Sequence, residues 1–379
     1  MQCGRCEYRN KWSSQPMVRN TPAGNLQLCA AVLFAGSSFR KIYQFLNAFS
    51  VQSLSEQCYH KHQAKLLFPT IHCHWKTEQE ALIKESIAGG PVTLGGDMRA
   101  DSPGHSAKYG SYSMMDVKRN KILDFQLVQS NEVGNSVRME KEGFRRCLSF
   151  LEQRGLDVQA VVTDRHTGVQ KFLRDERPHI THYFDPWHMG KGIGKKRELL
   201  SKQRGLQDVG LWTKSVVNHF YWSATTATSG EEAVAKWSAV ANHIQNVHTH
   251  DNALFPHCLH EPLVGERARH WLKPSTAACE RLTTILLAPR FMKDIASLYC
   301  CWSAYPKYKR GEYTVRPIKT KPTLAYVDKL MTLLFDCVVE DPLLYQTTFE
   351  SIPVPESLCA QFHRPEKQEA ASRHRSRFF

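Results

Sequence analysis

The part of the sequence that most restricts the fold is residues 91–190, where three short strand-like runs are followed by alternating helical and strand patterns. Thr93 to Met98, Lys108 to Asp116 and Lys121 to Gln129 read as strands, the last two joined across Val117 to Asn120 by a hairpin-type turn. The run MEKEGFRRCLSFLEQRG places Phe144, Cys147, Leu148 and Leu151 on one face and stops at Gly155, which predicts a helix. After it, VQAVVTD is an apolar strand ending in an acid, HTGVQKFLRDE a short helix, and HITHYFD another strand ending in an acid. The order β-β-β-α-β-α-β predicts an α/β fold: a mixed five-stranded sheet with helices on its faces.

That order is the ribonuclease H-like arrangement, in which the first and fourth strands are neighbours. The acids fall on those strands: Asp97 in LGGD and Asp164 at the end of VVTD. Two carboxylates brought together at the centre of a sheet repel each other unless a divalent cation lies between them, so the pair implies Mg²⁺ or Mn²⁺. Oxygen ligands with open positions suit two-metal phosphoryl transfer. Asp185, at the end of the fifth strand, is a candidate third ligand; its other role is to cap the next helix, an effect of about 1 kcal/mol.

The flanks read differently. Residues 1–24 hold a CxxC, Cys3 and Cys6, which is half of a tetrahedral zinc site. Residues 25–90 read as helical, with Ile42, Phe45, Leu46 and Phe49 at helical spacing. Residues 191–298 read as a helical insertion rich in Trp. It carries His243, His248, His250, His257, Cys258 and His260, whose spacing could hold Zn²⁺; with 18 His in the chain, caps and surface donors are the alternative. Residues 299–379 form a basic C-terminal region.

Charge bears on the partner. The chain has 50 Lys+Arg against 36 Asp+Glu, a net +14, which points to a polyanion such as nucleic acid. Lys191, Lys195, Lys196, Arg197, Lys202 and Arg204 follow the fifth strand directly and are the best candidate for a DNA track. Two further runs lie at 307–321 and 364–377. The longest apolar run, near Leu26 to Gly36, is too short to span a bilayer, so no membrane is expected. Twelve Cys and no apolar leader fit reduced thiols in the cytosol or nucleus.

The segments GGDMRADSPGHSAKYGSYSMMD, LVQSNEV, VVTDRHTGVQKFLR and HYFDPWHMGKGIGKK resemble a family of eukaryotic transposon-derived proteins with a ribonuclease H-like DDE transposase core. The opening CxxCEYRNKWSSQP, the middle NHIQNVHTH with LFPHCLH, and the later KYKRGEYTVRPIKT through RHRSRF also resemble it, so the likeness spans most of the chain. Asp185, Trp187 and His188 resemble the D-x-F-H element of some bacterial insertion-sequence transposases. The resemblance implies metal-dependent DNA cleavage and strand transfer in the nucleus, and leaves a homo-oligomer open. It also implies a third carboxylate on a helix after the fifth strand, in a segment like S-L-E-A-F-H following PRFMKDIASL. Here Leu298 runs at once into YCCWSAYPKYKRGEYTV, so a segment with that Glu is missing. With Glu280 on a solvated helix and Asp185 as the remaining option, the expectation is a DNA-binding protein with impaired catalysis. The alternatives are a non-catalytic DNA- or chromatin-binding protein with structural zinc, and a nuclease acting on RNA or hybrids.

Overall fold

The structure is a computed structural model that describes residues 5–6, 13–103, 107–260, 271–299, 302–306, 313–317, 323–357 and 366–373, the two segments between 302 and 317 as backbone only. The chain divides into two compact units, residues 1–82 with 321–379, and residues 83–320.

The second unit is built on a five-stranded sheet of β1 (Val92–Ala100), β2 (Tyr109–Asp116), β3 (Lys121–Gln129), β4 (Val158–Thr163) and β5 (Thr181–Phe184), in the spatial order β3-β2-β1-β4-β5. The first three strands are antiparallel, while β4 lies parallel to β1 and β5 parallel to β4. Along β2 every second residue is buried (Gly110, Tyr112, Met114, Asp116), the period-2 pattern of a strand with one face on the core. β4 is buried at nearly every position, as its central place between two parallel neighbours requires. The hairpin between β2 and β3 is held by buried Asp116, which accepts from the N–H groups of Lys118 and Arg119 and from the Arg119 guanidinium. Asn120 there adopts the left-handed conformation that Asn tolerates.

The helix Ser136–Gln153 packs on β2 and β3. Asn135 caps it by accepting from Arg138 N, and it ends in the left-handed Gly155, with Leu156 N bonded to Leu151 O. After β5 the chain enters a helical layer: Pro186–Ser201, Thr213–Thr226, Gly230–Ser238, Val240–His243, Ala277–Leu286 and Pro289–Ile295, with a short turn of helix at Asp208–Leu211. Trp237, Phe220, Val216, Ile244, Leu282 and Ile295 form its core, and Trp237 Nε1 donates to Leu286 O at 2.9 Å. The layer is tied back to the sheet at two places. Arg165, just past β4, pairs with buried Asp294 at 2.9 Å, and Phe184 of β5 bonds through its backbone to Ser297 and Tyr299. Segments Trp302–Pro306 and Tyr313–Pro317 form a separate antiparallel pair.

The first unit joins helices from both ends of the chain. Leu26, Cys29 and Ala30 of Ala23–Phe34 share a core with Tyr59, Leu66 and Leu67, and with Leu330, Leu334 and Val338 from the segment Ala325–Val338. The division between the units falls inside the long helix Phe68–Ala88. Among the described residues no helix is long and apolar enough to cross a membrane.

Candidate functional site

Asp97 lies within β1 and Asp164 is the first residue after β4. Gly95 pairs with Val162 across these parallel strands, so two residues further on the two acids stand level and on the same face of the sheet. Asp97 Oδ1 accepts from Met98 N at 2.8 Å, and Asp164 Oδ1 from His166 N at 2.8 Å, which fixes both carboxylates at their backbones. Tyr112, wholly buried, pairs with Met98; its hydroxyl and ring edge occupy the space where a Cβ at residue 96 would go, which favours glycine before Asp97.

A third carboxyl, Glu140, reaches the pair from the helix Ser136–Gln153 and is hydrogen-bonded to Asp164. Burial, then the charges of Asp164 and Asp97, push its pKa up to about 8, so at neutral pH this carboxyl holds a proton. The sequence does carry a signal for Glu140. It sits three, four and seven residues before Gly143, Phe144 and Cys147, on the stripe that faces the sheet, where an acid has no solvent to serve.

Asp185 caps the helix Pro186–Ser201, and both its oxygens are engaged. One accepts from Trp187 N at 3.0 Å and the other from His188 Nδ1 at 2.6 Å. Burial works against the Asp185 charge, but His188 and the Trp187 amide outweigh it and hold the carboxyl below its usual range. His188 is shifted up by the bond to Asp185 and, less, by the charges of Asp97 and Asp164. His182 of β5 is pushed down to about 4 by burial; its Nε2 meets the Thr163 hydroxyl at 2.9 Å, beside Asp164.

The basic helix Pro186–Ser201 sorts by its 3.6-residue period. Met189, Gly190, Ile193, Arg197 and Leu200 face inward, whereas Lys191, Lys195 and Lys196 are exposed, as are Lys202 and Arg204 beyond its end. Arg197, expected with the DNA track, is only 2% exposed, and its Nε and Nη1 have no hydrogen-bond partner. Lys191 lies 4.7 Å above the exposed ring of Trp187, and Lys202 pairs with Glu198. Of the other basic runs, Lys307, Lys309, Lys319, Lys321, Arg364, Arg375 and Arg377 lie outside the described residues. Glu280 is exposed in the first turn of Ala277–Leu286.

The His/Cys group resolves into four residues and two neighbours. His243, His248, Cys258 and His260 each present a ligand atom within 4.8 Å of the others and could hold a metal ion such as zinc. His250 is set beside them, with Nε2 3.3 Å from Cys258 Sγ, while His257 bridges Thr249 through the backbone. The helix ends at His243 and the chain turns at Asn246 in the left-handed conformation, which lets two His five residues apart meet. At the N-terminus Cys6 is exposed and Cys3 lies outside the described residues. No family model matches the sequence, and no curated protein matches it.

Proposed function

We propose that this chain is a transposase-derived, nuclear DNA-binding protein with a ribonuclease H-like core in which Asp97, Asp164 and Glu140 hold a divalent cation, Mg²⁺ or Mn²⁺. What supports the reading is the placement of Asp97 and Asp164 on neighbouring parallel strands, with Glu140 of the helix packed on the sheet hydrogen-bonded to Asp164 and raised by burial and by both their charges. An all-oxygen, anionic donor set of this kind fits a hard cation. Bound there, such ions supply activation of the attacking oxygen and stabilisation of the leaving oxygen in phosphoryl transfer. Asp97 and Asp164 are the fixed ligands, and Glu140 releases its proton to join them. The exposed Lys191, Lys195 and Lys196, on the helix that starts at the end of β5, carry the phosphate backbone.

Strand cleavage is weak in this reading, because Asp185 spends both oxygens on its cap and on His188 and adds no ligand charge. That same observation favours the second reading, a DNA-binding protein without catalysis.

The test is a plasmid-nicking assay with Mg²⁺ or Mn²⁺ alongside DNA binding at several salt concentrations. Nicking above background that Asp97→Asn abolishes supports the cleavage core; equal background in both supports the non-catalytic reading. Replacing Lys191, Lys195 and Lys196 together with Ala lowers the slope of log K against log salt by about 2 to 3, at roughly 0.9 per phosphate contact. Failure to bind DNA at low salt sinks both.

A further inference from the structure

We infer that His243, His248, Cys258 and His260 bind one structural zinc ion, which pins the loop 244–260 to the end of the helix Val240–His243. This site is separate from the acids of the sheet and does not depend on their role.

The geometry already has the dimensions of a zinc site. Cys258 Sγ lies 3.6 Å from His243 Nδ1. Zn–N bonds of about 2.0–2.1 Å and a Zn–S bond of about 2.3 Å, at the tetrahedral angle, set the N to S separation at about 3.6 Å. The rings of His243, His248 and His260 stand with centroids 4.9 to 5.2 Å apart, each pair nearly perpendicular, so that three imidazoles point at one centre without stacking. Three nitrogens and one sulfur complete a tetrahedron, leaving no open position for water, which marks a structural rather than a catalytic ion.

The surroundings prepare the ligands. His248 Nδ1 is buried with no hydrogen-bond partner, while its Nε2 meets Asn246 Oδ1 at 3.0 Å. The amide oxygen only accepts, so the proton sits on Nε2 and Nδ1 presents a bare lone pair inward. Burying such an atom unpaired is costly, and a metal removes the cost. His250 does the complementary service for the sulfur. Its Nδ1 takes a hydrogen bond from Asn242 Nδ2 at 3.3 Å, which leaves the proton on Nε2, 3.3 Å from Cys258 Sγ. A donor aimed at the sulfur stabilises a thiolate. On binding, Cys258 gives its thiol proton to solvent as the Zn–S bond forms, with no change of oxidation state.

The backbone shows what the ion fastens. Cys258 N donates to His248 O at 2.9 Å and His250 N to Pro256 O at 2.7 Å, a short antiparallel closure. Ligands from the helix end, from both arms of this closure and from just beyond it cross-link the segment. His243, Cys258 and His260 also form one wall of a cavity of about 450 Å³ whose other sides include Trp212, His219, Trp222 and Phe255.

The test uses the full chain, supplied with zinc and dialysed. Elemental analysis should find one zinc bound per chain, and absorption at the zinc edge should show a shell of three nitrogens and one sulfur. Absence of bound zinc, or a shell with no sulfur or with two or more, overturns the assignment without recourse to any variant. Cys258→Ser and His248→Asn should each release the zinc, whereas Cys3→Ser with Cys6→Ser should keep it; the reverse pattern overturns the site. Asn246→Gly and His250→Ala, which disturb only the supporting bonds, should weaken zinc binding by about 10- to 100-fold.

Discussion

Glu140 is the residue whose behaviour most directly reports on the acid cluster. Its carboxyl is ordinary in the unfolded chain and raised to about 8 when folded, by burial first and then by Asp164 and Asp97. Below pH 4.5 both states hold the proton and nothing is lost. Between pH 4.5 and 8 the unfolded chain releases it while the folded protein keeps it, so stability falls as pH rises through this window. Above pH 8 the full penalty is present. Glu140→Gln carries no such titration. Its denaturation midpoint should therefore change less between pH 5 and 8.5 than that of the wild type, with the variant the more stable at the upper end. Added Mg²⁺ should narrow the difference by favouring the ionised carboxyl in the folded protein. Parallel curves for the two proteins, with or without the ion, place Glu140 away from the acids.

At the scale of elements, the site depends on how closely the helix Ser136–Gln153 approaches the sheet. Gly143 sets that distance: a Cβ there would stand 2.5 Å from Tyr112 Cβ, an atom held by its own strand. Gly143→Ala must push the helix outward, at about 1–3 kcal/mol of overpacking, and Glu140, one turn earlier, moves with it. The expected result is a lower melting temperature together with a Glu140 carboxyl that titrates nearer its ordinary range, seen by carboxyl NMR; an unchanged titration means the helix does not position it. The same helix shows where the sequence was legible. Its end and apolar face follow from Phe144, Cys147, Leu148 and Leu151 and from the Gly155 stop, whereas it starts at Ser136, three residues before the run read as helical; the strands follow from alternation and from the turn around Asn120. Strands that end in acids do not point to Glu140, because it lies on a helix. Sequence adjacency groups Arg197 with its lysine neighbours, whereas period 3.6 sends it to the apolar side with Ile193 and Leu200. The four candidate metal ligands were legible as a cluster of residue types. Which four of the six converge depended on the Asn246 turn, a backbone feature that spacing does not reveal.

For the molecule as a whole, the segmental order of the sequence is not the order of its cores. The N-terminal helices do not close their own core: Leu330, Leu334, Val338 and Val339 from the far end of the chain are all buried within it. Four such side chains, at about 1.5–3 kcal/mol each, contribute an amount comparable with the entire stability of a typical domain. By contrast the sheet has its core inside 83–320, with Tyr112, Met114, Leu123, Phe144 and Phe172 buried there. Deleting 321–379 should therefore act on one unit alone. In hydrogen exchange, the amides of Ala23–Phe34 are expected to lose their protection and exchange at rates near those of an unfolded chain. The amides of β1, β2 and β4 should keep theirs, because every strand they pair with remains. The deletion also removes basic residues such as Arg364 and Lys367, so DNA binding serves as a second readout. If the helix at Lys191 to Lys196 is the main phosphate track, affinity survives the loss of the tail while the N-terminal helices melt. Retained protection in Ala23–Phe34 contradicts the shared core, and abolished DNA binding with an intact sheet moves the track to the C-terminal region.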